Sequence, residues 1–105
     1  MTYKVNSNTA QIISRNDLTI FDEITEISRQ IIISSNAGDY EATVSTGTTM
    51  TDSTSYYSVW VGSTQNRKLA DQMNIVINHF EQLGYQIQRI TNQSTNNTFL
   101  WKLEW

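Results

Sequence analysis

Acid–base chemistry in this chain would have to start from His79, the single histidine, because there is no cysteine to serve as thiol nucleophile, disulfide partner or metal ligand. An imidazole acting as general base needs an acidic group to orient it. Asp71 lies eight residues earlier on the same predicted helix, roughly 12 Å away at 1.5 Å per residue, which is too far for that contact. A transition-metal site would have to be assembled from His79 and carboxylates alone. At the more polar edge of its helix and beside Phe80, His79 reads as a structural residue.

Acidic pairs occur at Asp22/Glu23/Glu26 and at Asp39/Glu41, and a glycosidase or a divalent-cation site would use two such groups. Asp22 and Glu26 stand four residues apart on one helical face, which is also the water-facing side of an amphipathic helix, so all three acids of the first group are expected in solvent. The four glycines, Gly38, Gly47, Gly62 and Gly84, fall at turns and helix ends and form no phosphate loop, calcium loop or dinucleotide fingerprint. The triplets Asn92-Gln93-Ser94 and Asn96-Asn97-Thr98 match the glycosylation pattern, as chance allows in so Asn- and Thr-rich a chain. No catalytic, cofactor-binding or metal-binding residues emerge. The expectation is a protein that is not an enzyme and needs no cofactor.

The aromatics carry more information. Tyr56, Tyr57, Trp60, Trp101 and Trp105 are many for so short a chain, and large aromatics dominate both cores and interfaces. Trp105 ends an edge-like strand. These five are the candidate interface residues, serving contact with further copies or with other proteins.

With 7 Lys+Arg against 10 Asp+Glu, the net charge is −3, and Ser, Thr, Asn and Gln fill 43 of the 105 positions. The polarity is therefore uncharged, which argues against an electrostatic grip on nucleic acid or anionic lipid. Periodic apolar blocks exclude the recipe for disorder. No apolar run approaches the ~20 residues that cross a bilayer, and the start of the chain has no signal-peptide core. A soluble protein that is neither secreted nor membrane-bound is expected.

The elements that must position these residues follow from periodicity. Residues 1–17 read as an N-terminal arm and 18–105 as one domain. Ile20, Phe21, Ile24, Ile27 and Ile31 recur at helical spacing and predict a helix over 18–36. Tyr40, Ala42 and Val44 alternate with polar residues and predict a strand over 40–45. A short helix over Tyr56–Val61, capped by Asp52 or Ser53, precedes a helix over 65–83, capped by Ser63 or Thr64 and carrying Leu69, Met73, Val76, Ile77, Phe80 and Leu83 inward. Segments 85–91 and 99–105 form a hairpin around a polar loop 92–98, with Phe99, Trp101, Leu103 and Trp105 on one face. The fold class is α+β: a three-stranded antiparallel sheet with helices on one face, in the order helix-strand-helix-helix-strand-strand. That order is winged-helix-like, so a nucleic-acid contact through Arg67 and Lys68 is the alternative function. The loop that would act as the wing contains no Lys or Arg.

The words Thr43-Val44-Ser45, Thr48-Thr49-Met50-Thr51, Tyr56-Tyr57-Ser58-Val59-Trp60, Arg67-Lys68-Leu69-Ala70-Asp71-Gln72-Met73-Asn74, Phe80-Glu81-Gln82-Leu83-Gly84-Tyr85 and Thr91-Asn92 through Thr98-Phe99-Leu100-Trp101 occur in that order. Over about 18–105 the chain resembles small uncharacterised proteins and domains of marine cyanophages with contractile tails. The resemblance implies a virion structural or accessory protein found in the host cytoplasm or the virion, with itself or other phage proteins as partners and a homo-oligomer as one form. It implies no site residues.

Overall fold

A computed structural model describes residues 18–105. The expected N-terminal arm, residues 1–17, lies outside the described residues. The elements are α1 (Leu18–Asn36), β1 (Glu41–Val44), α2 (Thr54–Trp60), α3 (Arg67–Gln82), β2 (Gln86–Thr91) and β3 (Phe99–Glu104). The fold is α+β, in the expected order. The sheet order is β1-β3-β2, with both pairings antiparallel, so the strand latest in sequence is central, not the edge expected from sequence, and the other two are edges.

Local chemistry explains where the helices begin and end. The Ser53 side chain accepts from Ser55 N at the start of α2, as one of the two expected caps. At the start of α3 the cap is Asn66, accepting from Leu69 N, and not Ser63 or Thr64. Ser63 is instead spent on closing α2, where its N–H donates to Ser58 O at 2.9 Å. At the end of α3, Gly84 adopts φ +94°, a region that side chains with a Cβ rarely enter. This lets Tyr85 N donate back to Phe80 O at 3.0 Å, and the Tyr85 and Phe80 rings then meet edge to face at 6.0 Å.

Register decides which side chains share the core. Ala42 and Ile87 flank Leu103, while Val44 and Arg89 flank Trp101, so these positions occupy the face that α1 and α3 cover. Trp101, Leu103, Phe99, Val76, Met73, Met50 and Ile27 are fully buried there. A chain of edge-to-face rings, Tyr57 to Trp60 to Phe99 to Trp101, with centroids 5.8, 5.9 and 5.0 Å apart, ties α2 to the central strand. Each such pair contributes about 0.5–1.5 kcal/mol beyond its buried area.

Four apolar positions depart from the alternation read in the sequence. Tyr40 precedes β1 and is 75% exposed, Phe21 lies on the outer side of α1, Leu83 is the exposed C-cap of α3, and Trp105 lies just past β3 at the open end of the sheet. All four sit at element ends or flanks, where the period persists in sequence after the covering element has stopped.

Candidate interaction site

The inward stripe of α1 is Ile20, Glu23, Ile27 and Ile31, so an acid occupies a core position. Glu23 is 1% exposed, which corrects the reading that placed it in solvent with Asp22 and Glu26. Its Oε2 accepts from Trp101 Nε1 at 2.8 Å and from Thr48 Oγ1 at 2.7 Å, and its Oε1 faces Met50 N at 3.4 Å. Burial raises the Glu23 pKa above the ordinary 4.5, the three hydrogen bonds oppose the rise, and the charge of Asp52 adds to it. Thr48 and Thr51 share a 2.6 Å contact, and Asp52 accepts from Gly47 N at 3.0 Å, so the segment after β1 is a folded platform pinned onto the carboxylate. This is a structural acid, with both oxygens committed. Sequence reading missed it because Glu23 completes the Ile20/Ile27/Ile31 spacing, but an acid is counted as polar whatever its phase.

The five candidate interface aromatics do not form one surface. Trp101 is 0% exposed and Tyr56 6%. Tyr56 donates its hydroxyl to Gln72 Oε1 at 2.6 Å, so both residues are core and neither offers a contact surface in this fold. Tyr57 and Trp60 are half-buried against that core, with the Tyr57 hydroxyl 3.4 Å from Thr91 Oγ1. Trp105 alone reaches solvent substantially, in an edge-to-face contact with Tyr85 at 5.8 Å.

Around Trp105 the structure assembles an exposed end that spacing could not show. Trp105 N donates to Tyr40 O at 2.9 Å, which brings the residues before β1 and after β3 together. Beside them runs an open groove of about 660 Å³ whose wall includes Ser34, Asp39, Tyr40, Glu41, Glu104 and Trp105. Leu83, 63% exposed, is the C-cap of α3, next to Gly84, which shares a hollow with Gln86, Glu104 and Trp105.

The nucleic-acid candidates lie elsewhere. Arg67 and Lys68 are exposed in the first turn of α3, and Arg67 stands 3.9 Å from Asp71, so part of its charge is already answered. The outer face of α3 continues through Asn74, Ile75 and Asn78, all exposed. In the hairpin loop, Asn92 is 7% exposed, donates to Ser45 O and accepts from Ser94 N, so it is a turn residue and not an accessible glycan acceptor. His79 is exposed and packs edge to face on Phe80 at 4.9 Å.

Arg89 was not singled out by sequence, yet it points into the helix-covered side of the sheet. Its guanidinium lies 5.6 Å from the Trp60 ring centroid and 3.6 Å from Met73 Sδ, and burial lowers its pKa. Among the described residues, no group of three or more His, Cys, Asp or Glu could hold a metal ion.

No protein-family model matches the chain, and neither a curated protein nor a solved structure matches it.

Proposed function

We propose that this chain is a non-enzymatic assembly module acting through protein–protein contacts with itself or with other proteins of a phage particle. The observation that carries the reading is the exposed aromatic and apolar set at one end of the sheet, where Tyr40 is 75%, Leu83 63% and Trp105 36% exposed beside a groove. Such anchors are what protein interfaces use, and their exposure on a domain this small supports contact at that end. The resemblance to cyanophage structural and accessory proteins supports the same setting, in the host cytoplasm or the virion. No helix among the described residues is long and apolar enough to cross a membrane. Sedimentation of the purified chain, and mass spectrometry of particles of the phage that encodes it, test the reading. Self-association or presence in the particle that Trp105→Ala with Tyr40→Ala weakens is expected. A monomer absent from particles would overturn it.

One observation favours a second reading: the β1-β3-β2 sheet and the unobstructed outer face of α3 reproduce the layout of a winged helix. The charges weigh against it, because α3 and residues 92–98 together hold Arg67, Lys68 and His79 against Asp71 and Glu81. Duplex DNA binding with a steep salt slope would favour it.

A further inference from the structure

We infer that the groove at the sheet end is a docking site for an extended, lysine- or arginine-bearing segment of a different protein, added as a fourth strand along β1. The inference rests on the protein-contact reading above and names the partner's chemistry.

β1 pairs only with β3, so its other edge is free among the described residues. The Trp105 N to Tyr40 O bond fixes the phase of the antiparallel ladder. Hydrogen-bonded pairs alternate along such a ladder, which leaves the N–H and C=O of Glu41 and Thr43 directed away from β3. Exposed main-chain donors and acceptors of this kind template an added strand, with affinity from the backbone and selectivity from the flanking side chains. Here the flanks are specific. Tyr40 and Trp105 offer aromatic faces, and Asp39, Glu41 and Glu104 ring the groove with carboxylates.

Charge selects the occupant. Lys102 reaches Glu41 at 3.8 Å and Glu104 at 3.5 Å, but one ammonium cannot neutralise three acids. A second copy pairing through β1 would bring its own Asp39, Glu41 and Glu104 against this set, and like charges facing one another across an interface are unfavourable. A basic strand removes that repulsion and can lay its cationic side chains over Tyr40 and Trp105.

The test uses the full chain, labelled with ¹⁵N, and a capped peptide of alternating lysine and valine. A glutamate–valine peptide and a lysine–valine peptide N-methylated on alternate residues serve as controls. The lysine–valine peptide is expected to shift the amide signals of Glu41 and Thr43 and to change Trp105 fluorescence. N-methylation should abolish the effect, and Glu41→Gln with Glu104→Gln should weaken binding roughly three- to tenfold, as expected for two rim charges. Glu41 is exposed and the Glu104 side chain is 44% exposed, and unchanged far-ultraviolet dichroism confirms folding. Equal binding of the acidic peptide, or indifference to N-methylation, overturns the inference. So does self-association that places Glu41 and Thr43 at a copy-to-copy contact. If no peptide binds while the chain still self-associates in a way that Trp105→Ala with Tyr40→Ala weakens, with Glu41 and Thr43 outside the contact, the inference falls and the protein-contact reading stands. If DNA alone binds, that reading falls too.

Discussion

The indole N–H of Trp101 and the carboxylate of Glu23 meet at 2.8 Å across 78 positions of sequence, joining the first helix to the central strand in the middle of the core. Removing the acid leaves the buried donors of Trp101 and Thr48 facing a void. Glu23→Ala is expected to lower unfolding free energy by about 2–4 kcal/mol, measured by urea denaturation. Glu23→Gln keeps one acceptor oxygen but turns an amide toward Met50 N, so a smaller loss is expected. Equal midpoints for wild type and Glu23→Ala would show that the contact contributes nothing.

The same carboxyl sets a pH dependence whose sign is opposite to that of a salt-bridged acid. Because its folded pKa is raised, the fold holds the proton more tightly than the unfolded chain does. Its contribution to stability is fullest below the unfolded value near 4.5 and falls as pH rises through the folded pKa. Between pH 7 and 4.5, wild type should therefore gain stability relative to Glu23→Gln as acid is added. Parallel denaturation profiles for the two proteins over that window would refute the assignment.

Tyr56 belongs to the core, and its variants should behave accordingly. Tyr56→Phe removes the 2.6 Å hydrogen bond to Gln72 and is expected to cost about 1 kcal/mol, with self-association and peptide binding unchanged. Trp105→Ala should do the reverse, weakening contact with little loss of stability. A Tyr56→Phe variant that folds normally but fails to associate would contradict this division.

Arg89 is a cation partly withdrawn from water and answered by a ring and a thioether. Replacing a poorly compensated buried charge with an apolar side chain is often neutral or stabilising. Arg89→Leu is expected to change unfolding free energy by no more than about 1 kcal/mol, in either direction. A loss of several kcal/mol in denaturant titration would mean that the stacking on Trp60 contributes far more than such contacts usually do.

For nucleic acid, the expectation is negligible affinity for duplex DNA at moderate salt. If binding is seen in a mobility-shift titration, Arg67→Ala and Lys68→Ala should each reduce the salt slope by about one when the α3 face is responsible. Micromolar binding with a slope that both variants reduce would rank the winged-helix reading first.

Much of the fold was legible because period and punctuation agreed. The helical stripe from Ile20 to Ile31, the glycine after Leu83 and the strict alternation of Phe99, Trp101 and Leu103 each marked an element that the structure contains. The site was less legible. Glu23 and Arg89 are charged residues in inward phase, and a binary pattern discards such residues; only the coincidence of their phase with apolar neighbours hinted at burial. Tyr56 and Tyr57 are adjacent and chemically alike, yet one is sealed by Gln72 and the other only half-buried, a difference set by packing partners 16 to 34 positions away. The end formed by Tyr40, Leu83 and Trp105 depends on strand register, which spacing within a segment does not encode.

The central position of β3 has a consequence for the order of events during synthesis. β1 and β2 touch only through residues 99–104, so no part of the sheet can close on a ribosome until that stretch has emerged. Until then Ala42, Val44 and Ile87 have no cross-strand neighbours, and Glu23 has no indole to meet. Helix formation can proceed locally, but the sheet waits for β3, which then pairs with β2 across the short loop 92–98 and with β1 only by closing a loop over most of the described chain.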